Sequence, residues 1–216
     1  MFEPILTQVQ RSLRDEIREL VWWVPRELIL DMDADRIRYP RPFVREAGGR
    51  NLLGLRFPVG YGGRRLAWAD EIVAIEEVGV LGTALACAYV MPSVVGEALN
   101  VFGSREQKER SLVPLLCGEK IAAEALTEPR GGSDFFGTTT EARRQGDHYV
   151  LRGQKRFIVG AAEVDYFLVY ARSDFEAPHE YYKRLLDEGE TTRDVESDAP
   201  EAEKVEEKGY ELQSGS

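Results

Sequence analysis

Residues 124–134 read EALTEPRGGSD. Small and apolar residues run into Thr127, Glu128 and Pro129, and a glycine pair, Ser133 and Asp134 follow Arg130. This is the pattern of a β-strand that ends in a stiff turn. Pro129 fixes one backbone angle, and Gly131 and Gly132 let backbone approach a neighbour without a Cβ in the way. Two hydroxyls and two carboxylates gathered at such a turn can hold a ligand. Taken alone, the peptide favours a ligand-free Pro-Gly turn, so its flanks decide its meaning.

Upstream the chain is helical in texture. Thr7 can cap a helix carrying Val9, Leu13, Ile17, Leu20 and Val24 at helical spacing. RELILDMDADRI and PFVREAGG read as short helices, the second closed by Gly48 and Gly49. NLLGLRFPVGYGG is punctuated by Pro58, Gly60, Gly62 and Gly63 and reads as a loop. WADEIVAIEEVGV is an amphipathic helix offering Ile72, Val73, Ile75 and Val80 for burial, with Glu76 and Glu77 as helix-surface or bundle carboxylates. TALACAYVMPSVVGEALNVF, residues 83–102, is apolar on nearly every face and belongs in the middle of a bundle. Ser104 with Gln107 forms a capping box before a helix ending at Gly118.

Downstream the texture changes at Lys120. IAAEAL, GTTTEARR, HYVLRGQKRFIVG and DYFLVYAR are short β-prone runs parted by turn signals such as QGD and RGQ. From Thr191 the chain is dense in acid and poor in large apolar residues, a composition that predicts disorder.

Charge divides along the same line. The net charge of −10 belongs almost wholly to the end: from Asp174 onward there are 14 acids and 5 bases, against 24 and 23 before it. The nearly neutral remainder has no excess of base suited to nucleic acid. Hydrophobic content of 43% supports a packed core, and no apolar run reads as a membrane span. The start lacks a basic-then-apolar leader, so a cytoplasmic protein is expected. Cys87 and Cys117 lack CxxC spacing and read as buried reduced thiols, with no metal site expected. His148, after Asp147 in a turn, reads as exposed; neither it nor His179 has a partner that would signal a hydrolase.

PVGYGG, GSREQKERSLVPLLCGE, ALTEPRGGSD and GDHYVLRGQKRFIVGAAEVDYFLVYARSD together resemble the flavin-dependent acyl-CoA dehydrogenases, in the family's order and over residues 7 to about 178. The resemblance implies an α+β chain. An N-terminal all-α bundle (1–119) precedes a partial β-barrel-like middle domain (120–178) and a disordered acidic tail (179–216). It implies FAD as cofactor, an acyl-CoA substrate, an electron-transferring flavoprotein as electron acceptor, and a possible homo-oligomer. Leu126 and Thr127 would meet the flavin through backbone groups and one hydroxyl, and Ser133 would touch both flavin and acyl-CoA. Phe157, Ile158 and Val159 match a strand packed on the flavin ring, although Phe157 suits an ordinary core equally well. Val159 departs from the family's usual threonine and keeps its branch while losing a donor. Glu124 stands where an apolar or aromatic residue is frequent. Glu128 and Asp134 would hold the loop through backbone N–H groups.

The family's catalytic glutamate and its C-terminal helical bundle lie beyond this chain's match, so no catalytic residue is assigned. A truncated dehydrogenase, inactive alone, is the first expectation. A non-catalytic binding protein built on the same fold, or a relative of flavin monooxygenases and nitroalkane oxidases, are the alternatives.

Overall fold

The computed structural model describes residues 5–173 of the 216-residue chain. They fall into two compact units, the described residues up to Ala125 with Phe157–Leu168, and Leu126–Arg156 with the described residues from Val169 onward. Helix and sheet are mixed, as expected, and the helices come first.

In the first unit, α1 (Gln8–Trp23) starts where Thr7 and Gln10 exchange bonds: Gln10 N donates to Thr7 Oγ1 at 3.2 Å, and Thr7 N donates to Gln10 Oε1 at 3.0 Å. Both satisfy first-turn donors that the helix itself leaves unpaired. Leu13, Ile17 and Leu20 are buried at the expected spacing. α2 (Arg26–Asp33), α3 (Arg41–Gly49), α4 (Trp68–Gly79) and α5 (Thr83–Phe102) follow, with the punctuated loop between α3 and α4. On α4 the buried apolar residues are Val73, Ala74 and Val78, whereas Ile72 and Val80 face solvent, contrary to the sequence reading. α5 has the length and mean hydropathy, 1.4, that a membrane span requires, which the sequence reading did not recognise. In this fold it packs on α3, α4 and the first strand, and that central place accounts for its apolar faces.

Two helical carboxylates are buried with partners. Glu77 takes two bonds from Arg18, at 2.8 and 3.2 Å, which makes it a bundle carboxylate, the second of the two places the sequence allowed. Glu71 is held by Arg56 Nε and the Ser93 hydroxyl. Arg56 also donates from Nη1 to Glu97 at 2.9 Å and lies over the Trp68 ring, 3.3 Å from its centroid.

α6 (Arg105–Gln107) and α7 (Val113–Leu116) are joined through a π-helical turn, Lys108–Leu112. Pro114 has no N–H to give the Arg110 carbonyl, and Lys120 Nζ donates to that oxygen instead at 3.3 Å. Cys117 is exposed rather than buried; Cys87 is partly buried, and both are free.

Gly48 does not terminate α3; Arg50 caps it, and Asn51 takes the left-handed conformation at φ 57°. The glycine is there for closeness. A Cβ at Gly48 would lie 2.2 Å from the Cys117 carbonyl oxygen, and one at Gly118 would lie 2.5 Å from that of Val44. Gly48→Ala is therefore expected to push backbone from backbone and cost about 1–3 kcal/mol, the usual range for overpacking. Urea unfolding measures it, and an unchanged midpoint would refute the contact.

The strands are β1 (Ala122–Ala125), β2 (Glu141–Gln145), β3 (His148–Arg152) and β4 (Tyr166–Val169). They pair as two separate two-stranded sheets, β1 with β4 and β2 with β3. Among the described residues no barrel closes, because four strands this short cannot complete a circuit. β2 and β3 are antiparallel, with Gln145 opposite His148 across a two-residue turn in which Gly146 has φ 65°. RFIVG is not a strand: Phe157 is left-handed at φ 58°, and a turn runs through Val159 and Gly160. The acidic tail expected over 179–216, including His179, lies outside the described residues.

Candidate functional site

The turn in the opening stretch is built on one carboxylate. Beyond β1, Glu128 N donates to Gly131 O at 3.1 Å, and Gly131 N donates back to Glu128 O at 3.0 Å. Pro129 and Arg130 form the tip. The Glu128 side chain points inward and is 4% exposed. Its Oε2 accepts from Thr139 N at 2.8 Å and Thr139 Oγ1 at 2.5 Å. Its Oε1 accepts from Thr140 N at 2.9 Å, Thr140 Oγ1 at 2.6 Å and Lys155 Nζ at 2.8 Å. Burial by itself raises the Glu128 pKa. Lys155 and the two threonines outweigh it and hold the carboxyl far below its ordinary range. A carboxylate with five donors in a dry site is charged and immobile, which makes it structural and not a proton carrier.

Asp134 fixes the other end of the turn. Its Oδ1 accepts from Gly137 N at 3.0 Å, and its Oδ2 meets Arg130 Nη2 at 2.8 Å. Both acids thus hold the loop through backbone N–H groups, as their positions in the sequence suggested.

The hydroxyls of Thr127 and Ser133 stand apart from this network: among the described residues no hydrogen bond engages either. Ser133 is exposed and Thr127 half-buried. A Cβ at Gly132 would come within 3.0 Å of Thr127 Oγ1, so glycine is what lets the turn fold back over that hydroxyl. At Gly131 a Cβ would meet nothing within 4 Å, so that side of the turn is open.

Two backbone groups expected to serve a ligand are already engaged. Leu126 O accepts from Lys155 Nζ at 3.0 Å, and Thr127 O accepts from Arg156 N at 2.9 Å. Lys155 is the residue that sequence reasoning missed, since nothing in GQKRF marks a lysine that reaches back across the unit.

Phe157, Ile158 and Val159 belong to the first unit. Phe157 is 78% exposed and Val159 41% exposed, with Ile158 half-buried. The ordinary-core alternative for Phe157 is thereby excluded in this structure. Gly160 anchors the segment: at φ 72°, a Cβ there would strike the Tyr39 ring at 2.5 Å. His148 is half-exposed and pairs with Asp147 at 2.9 Å.

The chain is similar to known proteins. Residues 7–119 match the family described as acyl-CoA dehydrogenase, N-terminal domain, and residues 123–207 match acyl-CoA dehydrogenase, middle domain. The short-chain-specific acyl-CoA dehydrogenase of Clostridium acetobutylicum is 35% identical over 170 residues, covering 78% of this chain and 45% of that protein. The crystal structure of glutaryl-CoA dehydrogenase from Mycobacterium smegmatis superposes with a TM-score of 0.74 at 30% identity, covering 80% of this chain and 45% of that one. A glutaryl-CoA dehydrogenase from the same organism in complex with FADH2 superposes at 0.72 with 26% identity, over 80% and 45% of the two chains. The chain spans rather less than half the length of these relatives. The two family matches together cover most of the chain, and the chain belongs to the acyl-CoA dehydrogenase family.

Proposed function

We propose that this chain carries the flavin-facing and thioester-facing turn of an acyl-CoA dehydrogenase. The reaction is α,β-dehydrogenation of an acyl-CoA, for which bound FAD supplies the hydride acceptor. The observation that carries the reading is the pair of uncommitted hydroxyls, Thr127 and Ser133, on a turn whose own acids are spent in holding it still.

The residues present fit the group. A flavin's polar edge needs fixed partners in a water-poor site, and Thr127 and Ser133 offer hydroxyls beside the open face of Gly131. In the first unit, taken by itself, Phe157 is exposed with Ile158 and Val159 beside it in sequence, and their part in holding the flavin ring rests on the family resemblance alone. Val159 adds bulk and no donor. Ser133 serves the acyl-CoA as well, and Leu126 shapes the strand end with its carbonyl already bonded. Glu128 and Lys155 keep the turn rigid. The protein is assigned to the cytoplasm, with an electron-transferring flavoprotein taking the electrons and a homo-oligomer as the working form.

No residue of this chain is assigned as the base that removes the substrate proton, since none of its described carboxylates combines access with an unspent charge beside the turn. The isolated 216-residue chain is therefore expected to hold FAD weakly and to show no acyl-CoA-dependent bleaching. Adding a polypeptide that carries the remaining length of its relatives should restore both. The assay is anaerobic absorbance of the flavin with short, medium and long acyl-CoAs. Bleaching by the chain alone, lost in Thr127→Val or Ser133→Ala, would put the base within these residues. Failure to hold flavin even with the added polypeptide would sink the flavin reading.

A further inference from the structure

We infer that Lys155 is a positioning residue for the ligand-facing turn, acting through the carbonyl of Leu126 as well as through Glu128. The inference rests on the flavin reading for what the turn holds, and on geometry alone for how the turn is held. One ammonium bridges two groups that serve different ends. Its bond to Glu128 at 2.8 Å neutralises the buried carboxylate that organises Thr139 and Thr140. Its bond to Leu126 O at 3.0 Å fixes the last peptide before Thr127. The next residue along, Arg156, donates its backbone N–H to Thr127 O at 2.9 Å. The dipeptide Lys155–Arg156 therefore takes both carbonyls at the strand end, and the peptide planes of Leu126 and Thr127 cannot rotate without breaking a bond. With those planes fixed, the Thr127 side chain leaves the backbone in one direction, and Gly132 folds back over its hydroxyl.

The lysine side chain is 11% exposed, so both bonds form away from water, where a lost partner is felt. A lysine needed only to balance Glu128 would have no reason to reach Leu126. A lysine needed only for Leu126 would not require a carboxylate. The two hydrogen bonds from one ammonium make the direction of the strand end depend on the same lysine that neutralises the carboxylate holding Thr139 and Thr140.

The experiment compares three variants of the full 216-residue chain. Lys155→Met removes both bonds. Thr139→Val removes one bond to Glu128 and leaves the link to Leu126 intact. Lys155→Arg keeps the charge and supplies enough donors to serve both acceptors. Amide hydrogen exchange is followed at residues 126–128, with β2 and β3 as the fold control, and FAD affinity is measured by fluorescence titration and corrected for the folded fraction. In Lys155→Met we expect exchange at 126–128 to rise at least tenfold and the FAD dissociation constant to rise at least tenfold. In Thr139→Val stability falls while both of those readings stay at the level of the unchanged chain, and Lys155→Arg recovers most of each. If Lys155→Met does not fold, the contrast between Thr139→Val and Lys155→Arg decides: a loss of affinity in the first, or in the second a loss with β2 and β3 intact, refutes the positioning role. Native exchange at 126–128 in Lys155→Met, or faster exchange with unchanged affinity, overturns it as well. An unchanged chain that takes up no FAD even with the polypeptide carrying the remaining length of its relatives would sink the flavin reading, and the exchange measurements would then decide the role of Lys155 by themselves.

Discussion

Glu128→Leu is expected to destabilise the unit around it by about 3–5 kcal/mol, the usual cost of removing one partner from a buried ion pair. The substitution strands the Lys155 ammonium in a dry site and leaves the N–H and hydroxyl of Thr140, itself 3% exposed, without their acceptor. Against a total stability of roughly 5–15 kcal/mol for an ordinary domain, such a loss opens the turn and the β2–β3 hairpin. Hydrogen exchange over residues 126–156 reads it directly. A loss below about 1 kcal/mol would mean that the carboxylate is not the organiser described above. The same group sets an acid limit. Its folded pKa is depressed, so its contribution is complete above the ordinary glutamate value of 4.5 and drains away as pH falls below it. In Glu128→Leu that part of the acid sensitivity should vanish, and an unchanged acid transition would count against the assignment.

The second large effect lies in the helical unit, where burial separates two carboxylates that share one arginine. Glu71 and Glu97 both bind Arg56, yet their side chains are 4% and 41% exposed. Coulomb's law at similar distance would treat them alike; solvent does not. Glu71→Leu leaves Arg56 with a half-solvated partner and Ser93 with no acceptor, and should cost about 3–5 kcal/mol. Glu97→Gln touches an ion pair that water already screens, and should cost about 0–1 kcal/mol. Urea unfolding of the two variants side by side is the test. Because Arg56 lies over Trp68, tryptophan emission should shift in Glu71→Leu as the guanidinium is released. Equal losses in the two variants would show that exposure does not govern this cluster.

The helices were legible because each is announced locally. Thr7 with Gln10 and Ser104 with Gln107 are three residues apart, and Leu13, Ile17 and Leu20 repeat with the helical period. The hairpin turn at Gly146 was legible for the same reason. What failed was what depends on distant chain. Ile72 and Val80 have the right character for burial, and only the placing of neighbouring helices leaves them in water. Phe157 reads as strand because RFIVG is β-prone, whereas its left-handed backbone precedes a turn pinned by Gly160 against Tyr39. At the candidate site, Thr127, Ser133, Glu128 and Asp134 lie within one short stretch and could be named in advance. Lys155 joins Glu128 across 27 residues, and no periodicity connects them.

The contact between α3 and the turn before β1 has a consequence for the order of folding. Gly48 meets Cys117, and Gly118 meets Val44, at points about seventy residues apart in the chain. No part of that contact can form while the chain emerging during synthesis ends before Gly118, however well α1 to α5 have taken shape. Closing so long a loop carries an entropic cost that close backbone approach at the two glycines helps to offset, together with the packing of Phe57 on Leu112 and Leu116. The helical unit thus has a late step: it locks only when the residues that lead into β1 have arrived, and a slower lock at Gly48 would leave a newly made strand waiting beside an open bundle.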